Sequence, residues 1–546
     1  MASSTDDGSS TAYHSHSPLQ EDDGTAHSLH ERSSDRHKPG TYRAISPEPD
    51  EQTRLLISAE DPAVDPYNLF VVRSLRRITV LFLLFSGFVS TLLLISLFFS
   101  IPSMTTRGSN FAVFLFFLIS GANFGISLTA FNLPSKSSRI VSIIMVGFLT
   151  LNLILSLSVT RLRNNIVSAF GILALLWVIF SAFWVFVSSI LVDRAARGQE
   201  ERIIGRRADE IQARRSWKQW CSVMWTLILF IILLVLVFFT TLSIIVDAYD
   251  SRVAPSGDLV TVQDGAYRVH LYCSRPADDS EDPTILLEPG VTSAEVFAQE
   301  WTAYSIDDEK SSIYGMRYCY WDRPGKAFSD NGQSPLSAGM SIDALSNALS
   351  VQGELGPWIL VSHGEGAIYS RIFAARHSSQ VDGLVIIDGF QENYFVQRIG
   401  SSGRGFGYFL HGLISPLGID KQIMWIFRGR TSVDRIYGGA QSEIDKYNLA
   451  KFQEQVAARS FTKNEIIAAR EILPRNIPVA VLTSQDMIRN VEGWSEYQRD
   501  LTQLTDVNTE WQIIDAPHEV WRSDEGRKQI DEAIANIAYR TRRHGS

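Results

Sequence analysis

The chain has 546 residues, enough for two to four domains, and a formal net charge of −9. That acidity excludes a general nucleic-acid binder, which presents a basic face to phosphate. Three cysteines (Cys221, Cys273, Cys319) are too few for a disulfide-built fold and lack zinc-ligand spacing, and no cofactor or metal is expected.

Residues 1–66 are rich in Ser, Asp, Glu, His, Gly and Pro. Such a segment buries too little apolar surface to offset its ordering entropy and reads as a disordered, acidic tail. Without an apolar core near its start it does not read as a removable targeting signal. Its scattered histidines (His14, His16, His27, His30, His37) read as polar filler rather than metal ligands. Ser17-Pro18 and Ser46-Pro47 are weak candidate phosphorylation sites.

Residues 67–249 read as a membrane region. Five uncharged apolar runs (78–101, 111–131, 140–160, 166–192 and 223–246) each reach the about 20 residues a helix needs to cross a bilayer. Lys and Arg number thirteen on the N-terminal side of these spans and three (Arg107, Arg161, Arg163) on the other. The positive-inside rule then puts the tail in the cytosol and everything after the fifth span on the lumenal or extracellular side. With no ionisable residue inside the runs, a transporter or pump is disfavoured. Gly121 and Gly125 form a G-x-x-x-G that reads as close packing within the bundle.

Residues 250–546 have the composition of a globular domain. Leu259–Gln263 and Tyr267–Cys273 read as a hairpin, followed by strands at Thr284–Glu288, Arg317–Trp321, Trp358–Val361, Gly383–Ile387, Val479–Thr483 and Trp511–Ile514, with helices between them. That alternation implies a mostly parallel sheet covered on both faces.

Several local sequences, over roughly 259–539, resemble those of the α/β-hydrolase superfamily. L-L-E-P-G (Leu286–Gly290) resembles the turn after the third strand, and Tyr320–Asp330 the D-x-P-G-x-G-x-S segment that follows the next one. Gly356–Ala367 is similar to the elbow strand and turn, Leu384–Gly389 to the strand after it, and Pro478–Asp486 and Ala516–His518 to the segments carrying acid and histidine. The resemblance implies His518 as base and Asp486 as acid, with Asp388 a second candidate acid. It implies an oxyanion hole from the N–H groups of Gly290 and Glu365, although the Glu365 carboxylate would oppose a developing negative charge. In the G-x-S-x-G elbow of that family the nucleophile is serine; here the turn reads Ser362-His363-Gly364-Glu365-Gly366, with Gly364 in that position. Ser362 is the alternative nucleophile, two residues early on the strand end.

The resemblance also makes residues 390–477 a cap insertion, in which Ser401–Gly407 reads as mobile and 442–473 as helical cover. Its bulky residues Tyr408, Phe409, Leu410, Met424, Trp425, Ile426 and Phe427 suit packing better than a lipid-facing lid. Cys273 and Cys319 fall on strands that neighbour each other in that fold, so they form either a disulfide, in keeping with a non-cytosolic domain, or two buried thiols. The domain contains no N-x-S/T sequon. Two functions stay open: a membrane-anchored, catalytically impaired protein acting in binding or regulation, or an active ester or lipid hydrolase using Ser362 with His518 and Asp486. The expected partners are the lipid bilayer and a small apolar ester or lipid.

Overall fold

A computed structural model describes residues 70–545 except 103, 132–134, 167–168, 205–216, 276–281 and 507–508. The tail, with its histidines and Ser-Pro dipeptides, lies outside the described residues, as do Arg206, Arg207, Arg214 and Arg215 of the basic loop.

The membrane region consists of helices α1 (Phe70–Ser96), α2 (Asn110–Ala130), α3 (Lys136–Ser158), the short α4 (Thr160–Ile166), α5 (Ala169–Ile204) and α6 (Trp217–Asp250). All but α4 are long and apolar enough to cross a membrane. Most extend past the apolar runs, α6 by several residues at each end, because backbone hydrogen bonding continues into polar flanks where water replaces lipid. Outward faces expose Leu81, Leu84, Phe88, Ile143, Ile154, Trp225 and Ile231, an apolar surface suited to acyl chains and not to water. A Cβ on Gly121 would lie 3.7 Å from Ser86 of α1, whereas Gly125 faces open space, so only one half of the G-x-x-x-G packs closely.

The C-terminal domain is built on strands β1 (Asp258–Val262), β2 (Tyr267–Cys273), β3 (Thr284–Glu288), β4 (Tyr318–Trp321), β5 (Trp358–His363), β6 (Val381–Ile387), β7 (Val479–Ser484) and β8 (Glu510–Ile514), in the order β1-β2-β4-β3-β5-β6-β7-β8. β1 and β2 pair antiparallel at one edge, and β3 to β8 are parallel. Alternation along each strand feeds two cores. Leu286, Leu360, Leu384 and Val481 pack towards α8 (Ala338–Gln352) and α9 (Gly366–Arg376). Ile285, Ile359, Val385 and Leu482 pack towards α7 (Ala294–Ser305) and the C-terminal helix, residues 524–545. Burial of both faces is why these strands read as continuous apolar runs.

The cap contributes α10 (Glu392–Arg398), α11 (Ser402–Ile414), α12 (Ile419–Arg428), α13 (Ser432–Ile436), α14 (Asp445–Ala457) and α15 (Lys463–Ile472), before α16 (Gln485–Asn490), α17 (Trp494–Leu501) and α18 (Asp524–Gly545). The glycine-rich segment expected to be mobile begins α11. Its glycines permit close contact: a Cβ on Gly405 would meet Gln455 at 2.4 Å, and one on Gly412 would overlap the Phe111 ring at 2.2 Å. Tyr408 and Phe409 pack with Phe111 and Phe452, but Trp425, Ile426 and Phe427 are exposed, so the packing expectation fails for α12. Lys421 of α12 instead pairs with Asp247 of α6 at 2.7 Å, and Arg435 of α13 with Asp250 at 2.6 Å. These contacts join the described residues of the bundle and the α/β domain into one compact unit, although composition divides them near 249.

Candidate active site

β5 ends in a tight turn. Gly364 has φ of +54°, a left-handed conformation open to glycine and strained for other residues. Its N–H donates to Ile387 O (3.1 Å) and its C=O accepts from Phe390 N (2.8 Å), tying the elbow to the end of β6. A Cβ on Gly366 would lie 2.1 Å from Glu288 O, so only glycine lets α9 start this close to β3.

His518, in the loop after β8, faces this turn. Its Nδ1 lies 3.1 Å from Asp388 Oδ2, and a Cβ on Gly364 would be 3.5 Å from its Nε2. Asp388 is buried with φ of +46°, and its other oxygen accepts from Ser484 N (2.9 Å) and Trp494 Nε1 (3.0 Å). Asp486 does not reach His518; it lies on α16, and its nearest cation is Arg489 at 3.8 Å. The carboxylate at the histidine is the second candidate, because β6 neighbours the elbow strand while Asp486 starts a helix that leads away. The buried Ser362 hydroxyl lies 3.4 Å from Val385 O, and no hydrogen bond joins it to His518 among the described residues.

Gly290 lies across the turn: its Cβ would sit 3.4 Å from Glu365 N and 2.9 Å from His363 O, leaving no room for a side chain. Among the described residues, neither the Gly290 nor the Glu365 N–H has a backbone acceptor outside a helix or strand. The Glu365 carboxylate is not aimed at the turn as expected. It is fully buried in a charged cluster, within 2.9 Å of Arg323 Nη2 and Lys326 Nζ and 2.8 Å of Lys451 Nζ. Glu454 closes the cluster through Lys451 (2.8 Å), and Glu288 lies 3.5 Å from Arg323. Burial opposes its charge, yet the cations Lys326, Lys451 and Arg323 hold the Glu365 carboxyl well below the usual range. Burial pushes Glu288 up to about 7 and Lys326 down to about 8. Lys451 and Glu454 come from the cap, and their spacing on α14 gives no hint in the sequence of the elbow they reach.

His363, inside the elbow turn itself, is a further functional candidate. Its Nε2 bonds the His518 carbonyl oxygen (3.1 Å), the two rings are 4.3 Å apart, and burial pulls its pKa well below the ordinary 6.5. The neutral ring therefore donates from Nε2 and steadies the backbone of the catalytic-type histidine. Below about pH 6.5 the unfolded chain takes up a proton at this position that the native state refuses. Stability is thus lost as pH falls through that value, by about 1.4 kcal/mol per pH unit. Glu288 runs the opposite way between 4.5 and about 7, so the comparison is with His363→Gln. Thermal midpoints of the native chain should fall away from those of the variant only below pH 6.5. A constant offset between the two would refute a neutral His363.

Cys273 and Cys319, cross-strand partners on β2 and β4, are joined as a disulfide; Cys221 is free.

The strand order, the left-handed elbow and the histidine–carboxylate pair facing it define an α/β-hydrolase-fold domain, here attached to five apolar helices. The chain is 30% identical over 500 residues to an uncharacterized protein of Schizosaccharomyces pombe, covering 85% of this chain and 91% of that one, and it belongs to the same family. A family model described as a region of unknown function (DUF2417) matches residues 26–273. An uncharacterized vacuolar membrane protein of Saccharomyces cerevisiae is 24% identical over 406 residues, covering 63% of this chain and 62% of that one. Among solved structures, an enol-lactonase from Burkholderia xenovorans matches at 12% identity and a TM-score of 0.36, covering 51% of this chain and 99% of that one. The class rests on the topology and elbow above, not on that match.

Proposed function

We propose that this is a membrane-anchored α/β-hydrolase-fold protein that has lost hydrolysis and acts by binding or regulation. One observation carries the reading: the position facing His518 Nε2 is Gly364, which offers no nucleophilic atom. The buried Ser362 hydroxyl, turned to Val385 O, argues against a displaced nucleophile. The retained His518–Asp388 pair favours the second reading, an active ester or lipid hydrolase. Full-length protein incubated with short- and long-chain esters and with a serine-directed phosphonate separates the two. The first reading expects neither turnover nor labelling; labelling abolished by Ser362→Ala overturns it.

The ligand in this reading is a small apolar ester or lipid reached from the bilayer. Supporting it, the exposed Trp425, Ile426 and Phe427 sit on a helix bonded to the last turns of α6, and aromatic side chains favour the membrane interface. The membrane is a vacuolar one, after the Saccharomyces cerevisiae relative, with the N-terminal tail cytosolic and the α/β domain lumenal. The Lys/Arg asymmetry and the Cys273–Cys319 disulfide support that orientation. Protease added to sealed vacuoles should spare residues 250–546, and non-reducing peptide mapping should recover the Cys273–Cys319 pair. Digestion of the domain in intact vacuoles would reverse the orientation.

A further inference from the structure

A cavity of about 140 Å³ lies where the helical bundle meets the α/β domain, and none of Gly364, His518 and Asp388 lines it. Val113 and Phe116 of α2, Leu175 of α5 and Ile244 of α6 make one wall apolar. The other end is charged: Arg161 of α4 with Asp445 and Lys446 at the start of α14, and Asp247 and Asp250 of α6. The last two acids are already paired, with Lys421 and Arg435. That leaves Arg161 and Lys446 with Asp445 among the charged residues that line the cavity.

The two cations differ in how they are satisfied. Lys446 Nζ donates to Ala327 O and Ser329 O, both at 2.7 Å. Arg161 makes no ion pair among the described residues; its guanidinium lies 5.3 Å from the centre of the Phe328 ring, and Nη1 is buried with no hydrogen-bond partner. Ser156 Oγ, which also lines the cavity, is likewise buried without a partner. Buried donors of this kind are costly unless an acceptor or water reaches them, and a guanidinium suits a planar or tetrahedral oxyanion.

We propose that this cavity binds the anionic end of a single-chain amphiphile, with its carboxylate or phosphate oxygens on Arg161 and its first methylenes along Val113, Phe116 and Leu175. A cavity of this volume accommodates the head and the first carbons of such a molecule rather than a whole two-chain lipid. This site is independent of whether the elbow is active, since it shares none of the residues facing that turn.

The test uses full-length protein in phosphatidylcholine nanodiscs and a dodecanoate bearing a photoreactive diazirine near its carboxylate. Saturable adducts should map to the cavity-facing peptides of α2, α4 or α6. Dodecanoate or dodecyl phosphate should compete, identifying the head group by which is stronger, and dodecanol should not. Arg161→Gln should weaken competition at least tenfold, with Arg161→Lys restoring part of it. If Arg161→Gln fails to fold, the adduct map on the native chain decides alone. Adducts confined to lipid-facing peptides around Leu81 or Ile143, or equal competition by dodecanol, overturn the proposal.

Discussion

Full-length protein carrying Gly364→Ser is expected to become covalently labelled by a serine-directed phosphonate, and the native chain to stay unlabelled. The geometry leaves room for the change. A Cβ at position 364 would meet His518 Nε2 at 3.5 Å, Phe390 Cε1 at 3.7 Å and the Gly290 Cα at 3.8 Å, all ordinary contacts. A hydroxyl on that Cβ can turn into the roughly 2.6–3.2 Å range in which a base takes its proton. The cost is backbone strain: a non-glycine residue at φ of +54° loses on the order of 1–3 kcal/mol. His518→Ala in the serine background should slow labelling by about 10²–10⁴-fold. Asp388→Asn should slow it as well, and Asp486→Asn should not, because of these two carboxylates it is Asp388 that bonds the imidazole. A folded serine variant that remains inert would show that the elbow lacks more than a nucleophile.

Glu365→Gln is expected to be among the most destabilising single changes in the α/β domain. It removes the carboxylate to which Arg323, Lys326 and Lys451 all donate. Among the described residues, the carboxylates left to the three buried cations would be Glu454 and a Glu288 pushed up to about 7. Stripping one partner from a buried charge cluster costs about 3–5 kcal/mol, because the remaining charges stay desolvated. The thermal midpoint should fall by on the order of 10 °C. Paired substitution with apolar residues, Glu365→Leu with Lys451→Met, should recover much of the loss. A midpoint unchanged in Glu365→Gln would mean that water reaches the cluster.

The two predictions divide along what could be read from the chain. Gly364 at the elbow was legible, since a buried strand, two glycines and a run of apolar residues at helical spacing (Ile368, Tyr369, Ile372, Phe373) form a local signal. So were the existence of five membrane helices, though their ends differ from the apolar runs by up to 12 residues, and the strands, within a residue or two, because apolar periodicity depends on near neighbours. The acid was not legible. Asp388 and Asp486 both follow apolar strands, and only the path of the loop after β8 brings His518 to the first of them. Glu365 looked unfavourable beside an oxyanion site, because its counter-charges stand 42 residues before it (Arg323) and 86 after it (Lys451).

The sequence by itself therefore determined the layout: apolar helices, then a parallel-sheet domain with glycine at its elbow. Those properties follow from burial and backbone conformation at each residue and its neighbours. Tertiary structure alone decided which carboxylate meets His518, where Glu365 finds its cations, and how the cap and bundle enclose Arg161. Each depends on groups far apart in the chain converging at hydrogen-bond distance, and no local pattern of polarity encodes that convergence.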